Sequence, residues 1–308
     1  MKVLVTGGAG FIGSHVADGL IEHGHQVVVV DNLSTGSREN LNPKATFHEV
    51  DIRSPELAGV FEKERPDVVD HHAAQMSVKV SVQNPREDAD INVLGGLNVI
   101  ECSKDYGVKK IVYASTGGAM YGEPQYLPCD VNHPINPLSQ YGVTKHNFEN
   151  YLFTYRHLYG LNYTVLRYPN VYGPRQDPYG EAGVVAIFTG QMLEGKQTMI
   201  NGSGEQERDF VYVADVAEAN LLALDKGDND VFNIGWGHGT SVNQIFQALA
   251  EITGYGQDAE HGPALPGEVF KICLDAGKAN RELGWAPRTP FEEGLRQTVD
   301  YFRQKRVA

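Results

Sequence analysis

One glycine-bearing turn constrains this chain more than any other feature. Gly7-Gly8-Ala9-Gly10-Phe11-Ile12-Gly13 follows the apolar run Val3-Leu4-Val5 and opens a helical stretch that runs to His23. Gly24 stops that stretch, and a second apolar run, 27–30, ends on Asp31. The order is strand, glycine turn, helix, strand, acid. Gly7 permits the tight turn, Gly10 lets backbone approach a pyrophosphate, and Gly13 lets the helix pack close to the strand. The helix N-terminus then offers its unpaired N–H groups to the phosphates. A glycine triplet alone is a weak signal. Between a strand and a helix, with an acid about 20 residues on, it is a strong one for a dinucleotide. A carboxylate at Asp31 accepts hydrogen bonds from ribose hydroxyls and repels a 2′-phosphate. The segment Asn32-Leu33-Ser34-Thr35-Gly36-Ser37 holds no cation before Arg38. NAD rather than NADP is therefore the expected cofactor, with Arg38 the one guanidinium that argues the other way.

Strand and helix patterns go on alternating. Strands are expected at 46–50, 67–70, 110–115 and 163–167, and helices at 56–64 and 141–159, with a long amphipathic stretch over 86–106. That alternation predicts an α/β fold, a Rossmann-type doubly wound parallel sheet. Ligands of such sheets bind at the carboxyl ends of the strands. Gly7, Asp31, Asp51, His72, Ser115 and Asn170 all fall there. Past about residue 170 the pattern breaks into shorter pieces punctuated by Pro and Gly. The expectation is a NAD-binding domain at 1–170, joined by about 208–235. A smaller mixed α/β domain for the substrate, at 171–207 and 236–308, would be interleaved with it.

The net charge of −13 argues against nucleic acid or an anionic membrane as a general partner. The odd, widely spaced Cys102, Cys129 and Cys273 read as free thiols of a reducing compartment, hence a cytoplasmic protein. The N-terminus reads as a core strand and not a signal peptide. His71 and His72 are adjacent, so on a strand they point to opposite faces, and no metal is expected.

Tyr141 and Lys145 stand four residues apart and share a helix face. A cation beside a phenol favours the phenolate. Such a pair can take a proton from a sugar hydroxyl while a nicotinamide takes the hydride from the same carbon. The spacing alone is common in a chain with 15 tyrosines, and it gains weight only behind the glycine motif. Ser115 and Thr116, at the end of the preceding strand, each offer a hydroxyl for the reacting oxygen, with Thr116 favoured.

Taken together the motifs are identified with a known family. They are Asp51-Ile52, His72-Ala73-Ala74-Gln75, Asn92-Val93-x-Gly95-x-x-Asn98, Ser115-Thr116-Gly117-Gly118, Tyr141-x-x-x-Lys145, 167–175, Arg208-Asp209-Phe210-Val211 and Pro266-Gly267-Glu268-Val269. The chain resembles the extended short-chain dehydrogenase/reductases of the nucleotide-sugar branch, and within them the UDP-glucose 4-epimerases, over nearly its whole length. The resemblance implies that Asp51 and Ile52 meet the adenine. His72, Ala73, Ala74, Gln75, Asn92, Lys145 and Tyr168 would line the NAD site. Asn170 and Arg208 would hold the diphosphate. Gly183, Val184, Val185, Thr198, Met199 and Asn201 would hold the uridine, with Glu268 and Lys271 nearby. It implies C4 epimerisation of UDP-galactose and UDP-glucose through a 4-keto sugar. The alternatives are an epimerase of UDP-N-acetylglucosamine or of UDP-glucuronate, whose carboxylate Lys271 or Arg175 would meet, a dehydratase or decarboxylase, or a non-catalytic NAD-binding relative. Two departures stand out: Gly117 occupies a position where many relatives carry a hydroxyl, and Leu265 one where many carry arginine. Surplus apolar positions on 86–106 (Ile91, Val93, Leu94, Leu97, Ile100) and 141–159 (Phe148, Tyr151, Leu152, Phe153, Tyr155) point to a homodimer built on both helices.

Overall fold

The computed structural model describes residues 1–179, 183–264 and 269–307. Seven parallel strands form the central sheet. Six are β1 (Lys2–Thr6), β2 (Gln26–Asp31), β3 (Thr46–Glu49), β4 (Val68–His71), β5 (Lys110–Thr116) and β6 (Asn162–Tyr168), and Asp230–Asn233 is the seventh. Asp230–Asn233 pairs with β6 in parallel at one edge. From there the order is β6, β5, β4, β1, β2, β3, so the chain winds outward in both directions from β1. The gap between the ends of β1 and β4 is the switch point where such sheets bind ligands.

The strands are apolar runs because both faces of the sheet are covered. Val3 and Val5 of β1 enter one core with Val16 and Leu20 of α1 (Phe11–Glu22) and Val216 and Ala223 of the helix Val213–Asp225. Leu4 enters the other, with Phe61, Ile100, Phe148 and Leu152. A β-carbon on Gly19 of α1 would meet Leu221 at 3.2 Å, so that helix pair is tightly seated.

The stretch 86–106 is not the continuous helix its periodicity predicts. It is the helix Pro85–Ala89, a π-helical turn over Asp90–Gly95, and the helix Gly96–Asp105. The extra residue in each π turn breaks the 3.6-residue repeat, a feature common beside functional sites. The remaining chain builds small sheets apart from the large one. Asn170–Tyr172 pairs with Phe210–Tyr212, and Glu207–Arg208 lies between Thr240–Ser241 and Lys271–Ile272. A third core, with Val185, Phe188, Ile245, Leu249 and Leu295, packs beneath them.

One buried chain of polar groups spans the β5, β6 and Asp230–Asn233 strands. Glu149, on the helix Gln140–Tyr159, accepts from Arg167 Nη2 at 2.6 Å, Arg167 Nε at 3.1 Å and Ser115 Oγ at 2.6 Å. Arg167 Nη1 donates to the Tyr121 hydroxyl at 3.0 Å, which donates to Asn233 Oδ1 at 2.8 Å. Burial works to raise the Glu149 carboxyl, but hydrogen bonds from His146 and Arg167 outweigh it and hold it low. Removing one partner of such a pair leaves an uncompensated buried charge, at about 3–5 kcal/mol. Glu149→Ala is expected to lose about that much stability in denaturant unfolding. A loss under about 1 kcal/mol would show that the helix Gln140–Tyr159 is not anchored through this pair.

Candidate active site

The N-terminal end of α1 is built for a dinucleotide. Gly10 precedes it in extended conformation, with no side-chain cap, and no acid stands in the first turn. The first N–H groups are thus left to a ligand. Gly7 has φ +69°, and a β-carbon there would lie 2.7 Å from the Ala73 nitrogen. One on Gly13 would lie 2.3 Å from the Gly7 carbonyl oxygen. Turn, helix and the segment after β4 are therefore in backbone contact. Asp31, at the end of β2, accepts from Ala9 N at 3.0 Å and Leu33 N at 2.8 Å, which fixes its carboxylate beside the turn. The following loop folds back onto the turn: Ser34 N donates to Asn32 Oδ1, Ser37 N donates to Ala9 O, and Gly36 approaches Ala9 too closely for a side chain. Thr35 is exposed within that loop. Arg38, the one cation that favoured NADP, pairs with Glu49 and lies 5.1 Å over the Phe47 ring. Its charge is already matched.

Asp51 and Ile52 follow β3. Asn32 Nδ2 donates to Asp51 Oδ2 at 2.9 Å, and Arg53 holds the Asp51 carboxyl well below the usual carboxylate range. Ile52 is buried against Gly95. At the end of β4, His72 N donates to Thr6 O and Ala73 N to Thr6 Oγ1. Ala74 continues to Gln75, where Asn92 forms a two-way clamp. Its Oδ1 accepts from Gln75 N at 2.8 Å, and its Nδ2 donates to Gln75 O at 2.9 Å. The His72 ring stacks on Tyr168 at 6.5 Å, and the Tyr168 hydroxyl donates to Asn220.

The reactive pair lies between these walls. The helix Gln140–Tyr159 starts at Ser139, whose hydroxyl accepts from Gly142 N, and stops at Gly160 in the left-handed conformation. Tyr141 is half-buried; burial pushes its phenol up to about 12, Asp88 adds to the rise, and a hydrogen bond with Thr116 opposes it. Lys145 is buried and sits 4.4 Å over the Tyr113 ring; burial draws its ammonium down to about 7 against the pull of Glu149 and Asp88. Thr116 is the group that eases the Tyr141 phenol, and the Lys145 ammonium lies over the Tyr113 ring. The two hydroxyls also separate. Ser115 Oγ is committed to Glu149, whereas Thr116 reaches Tyr141 and accepts from Ala119 N at 3.2 Å.

On the substrate side, a β-carbon on Gly118 would lie 3.8 Å from Asn170 Oδ1 and 4.0 Å from Thr116 Oγ1, so both side chains border the space at Gly118. A β-carbon on Gly117 would lie 2.4 Å from Leu274 Cδ1, so a side chain there would have to displace that leucine. Arg208 Nη1 donates to the carbonyls of Glu207 and Phe270. Asp209 accepts from Trp236, Gly237 and Leu274 N–H groups and ties three loops together beneath Arg208. Gly183 precedes the helix Val184–Leu193, in which Val185 is buried. Thr198 is fully buried, and Met199–Asn201 forms a short strand. Lys271 Nζ lies 2.6 Å from Glu207 Oε1, and Arg175 Nη2 lies 2.7 Å from Asp18 Oδ2. Glu268 and Leu265 fall outside the described residues.

Sequence reasoning missed Glu149 and Asp88, the buried acids around Lys145. Glu149 had a signal, standing four residues past Lys145 on the same helix face. Asp88 had none, because the π-helical turn after it hides which face it presents.

With this geometry in place, comparison with known proteins is direct. The family model for the NAD dependent epimerase/dehydratase family matches residues 3–235. The UDP-glucose 4-epimerase of Mycolicibacterium smegmatis is 42% identical over 311 residues, covering 99% of each chain. A crystal structure of UDP-glucose 4-epimerase with UDP-glucose from Thermotoga maritima is 55% identical, covers 99% of each chain and superposes with a TM-score of 0.97. The complex of Thermus thermophilus UDP-glucose 4-epimerase with NAD is 46% identical, over 98% of this chain and 99% of that one, with a TM-score of 0.94.

The low value at Lys145 has a measurable consequence. An unfolded lysine titrates near ~10.4, and the folded one near about 7. Between those values the unfolded chain binds the extra proton, so this group makes stability rise with pH. Below about pH 7 its cost is fully present. Lys145→Met is expected to gain stability over the parent protein at about pH 6, with the gain shrinking towards about pH 10. Denaturant unfolding at each pH measures it. A difference that stays constant with pH would mean that Lys145 titrates as a free lysine.

Proposed function

Because this chain belongs to the NAD dependent epimerase/dehydratase family, we propose that it is an NAD-dependent UDP-hexose 4-epimerase, interconverting UDP-galactose and UDP-glucose. The observation that carries this reading is that Thr116, which bonds Tyr141 and borders the same space as Asn170, pairs across the sheet with Tyr168, on which the His72 ring stacks. The backbone contacts at Gly7 and Gly13, the uncapped α1 and the braced Asp31 fit NAD. Matched by Glu49, Arg38 is not poised for a 2′-phosphate.

When bound, NAD supplies the hydride acceptor and donor at sugar carbon 4. Tyr141, as the phenolate that an oxidised nicotinamide beside it would favour, takes the proton of the 4-hydroxyl, with Thr116 bonded to both the phenol and the sugar oxygen. Lys145, in the helical turn after Tyr141, holds the nicotinamide ribose. Asn170 and Arg208 keep the diphosphate fixed while the 4-keto sugar turns, and Gly183, Val184, Val185, Thr198, Met199 and Asn201 grip the uridine. Tyr141 then returns the proton to the oxygen on the other face. Anchoring at the diphosphate lets one end move while the other stays, so a single site serves both faces.

The rival readings each lack a group. Dehydration or decarboxylation needs a further acid beside Thr116, and the positions after it are Gly117 and Gly118, which cannot move protons. UDP-glucuronate needs a cation for its carboxylate. Lys271 and Arg175, the two the sequence offers, are paired with Glu207 and Asp18. UDP-N-acetylglucosamine is the secondary substrate.

The chain works as a cytoplasmic homodimer, with NAD held by 1–170 and 208–235 and the sugar nucleotide by the interleaved remainder. Leu94, Val143 and Phe153 support the dimer, being 59%, 49% and 65% exposed on the helical stretches 85–105 and 140–159. Ile100, Phe148 and Leu152, also counted towards that interface from the sequence, are buried in the chain's own core.

Tyr141→Phe is expected to reduce conversion of UDP-galactose to UDP-glucose by about 10²- to 10⁴-fold, with NAD content after denaturation unchanged. A variant that keeps most of its turnover would take Tyr141 out of the chemistry. Light scattering at micromolar concentration is expected to give twice the 33.8 kDa chain mass, and Phe153→Glu to give the monomer. A parent protein that runs as a monomer would end the dimer reading.

A further inference from the structure

Asp88 is fully buried, at 0% exposure, in the short helix Pro85–Ala89, and nothing in the reaction as described uses it. Its two oxygens join three elements. Oδ1 accepts from Gln75 Nε2 at 2.7 Å and from Asn92 Nδ2 at 3.1 Å. Oδ2 accepts from Thr144 Oγ1 at 2.7 Å. Gln75 ends the cofactor-lining segment, Asn92 sits in the π-helical turn, and Thr144 lies on the helix Gln140–Tyr159 between Tyr141 and Lys145. Asn92 Nδ2 also reaches Thr144 Oγ1 at 3.3 Å, which closes the network. Three hydrogen bonds reach its two oxygens, and a buried carboxylate also needs a cation near it.

The groups facing Lys145 identify that opposite charge. From its own helix comes Glu149, already paired with Arg167 and bonded to His146. From the sheet come Tyr113, whose ring lies under the ammonium, and His71, which burial keeps neutral. Asp88 is the remaining anion acting on Lys145, and it acts on Tyr141 as well.

We propose that Asp88 is a positioning residue for this reaction: its buried carboxylate fastens the helix of Tyr141 and Lys145 to the cofactor wall at Gln75, and its charge sets the pH window in which that pair works. The proposal rests on the epimerase reading and adds to it a residue that touches neither sugar nor cofactor. A negative neighbour disfavours the phenolate and favours the ammonium. Taking the charge away therefore lets Tyr141 ionise at lower pH and Lys145 lose its proton at lower pH. Both limbs of the activity profile move towards acid.

The test is Asp88→Asn on the protein as purified with its NAD. The amide keeps the side chain's length, accepts from Gln75 and Asn92, and donates to Thr144, whose hydroxyl turns to the Tyr141 carbonyl 3.1 Å away. The expected result is a profile of kcat/KM against pH displaced to acid by about one unit, with NAD content unchanged. The Tyr141 signal, followed by NMR of ring-labelled tyrosine and assigned with Tyr141→Phe, is expected to titrate about one unit lower. Thr144→Val keeps the charge and removes one fastening, so it is expected to lower kcat while the profile stays in place. A profile and a Tyr141 titration that superimpose on the parent's in Asp88→Asn would overturn the proposal. So would an equal displacement in Thr144→Val. If Asp88→Asn does not fold, Asp88→Glu retains the charge, and a displaced profile there would overturn it too. The tyrosine titration is read without sugar, so an absence of UDP-hexose turnover would sink the reaction without touching this result.

Discussion

A β-carbon on Gly13 would sit 2.3 Å from the Gly7 carbonyl oxygen, so α1 lies as close to β1 as two backbones allow. The rest of the site depends on that approach. It brings the helix N-terminus over the gap between β1 and β4. It also lets Ala73 rest on Gly7, 2.7 Å from where a side chain would begin. From Ala73 the chain passes to Gln75, and Asn92 clamps Gln75 by both its N–H and its carbonyl. The cofactor wall is thus positioned by backbone against backbone. Side chains enter only afterwards, to hold the catalytic helix against that wall.

Buried charge is the second organising theme. The chain carries a net charge of −13, yet its proposed ligands are anionic. It meets them with N–H groups at a helix end and with a few placed cations, so general attraction plays no part. Inside, two buried acids are matched by different means. Glu149 has Arg167, and Asp209 has three backbone N–H groups, although burial still raises its carboxyl. Among the described residues Lys145 has no such tight partner, so burial draws its ammonium into the range where a proton is readily moved. A lysine with a close carboxylate partner would be a fixed cation. This one is poised.

The main sheet was legible because its strands are buried on both faces and read as plain apolar runs. The helix Glu56–Glu64 falls where periodicity placed it, and β5 and β6 differ from expectation by a residue at each affected end. The site was legible in its motif residues, since Gly7, Gly13 and Asp31 have no freedom to be elsewhere. What sequence concealed was commitment. Arg38, Arg175 and Lys271 look alike as free cations, and only three-dimensional neighbours show that Glu49, Asp18 and Glu207 occupy them. Ser115 and Thr116 are adjacent, and the sequence only inclines towards Thr116. The strand's alternation sends one to Glu149 and the other to Tyr141. The π-helical turn at Asp90–Gly95 was invisible for the same reason: an added residue per turn leaves composition unchanged and shifts only which side chain faces inward.

The strand Asp230–Asn233 completes one edge of the large sheet only after the chain has built Asn170–Tyr172, Met199–Asn201 and Phe210–Tyr212. A fragment cut after β6 would leave that strand with a bare row of N–H and C=O groups. It would also take Asn233 from the end of the Arg167–Tyr121 chain. The chain between β6 and that strand, which includes the segments proposed to hold the uridine, is therefore sewn into the sheet at both ends. Over evolutionary time they cannot be lifted out and traded as a block, as a module on a linker can. New substrates in such a lineage must come from exchanges inside these loops, while the strand that follows them keeps its place.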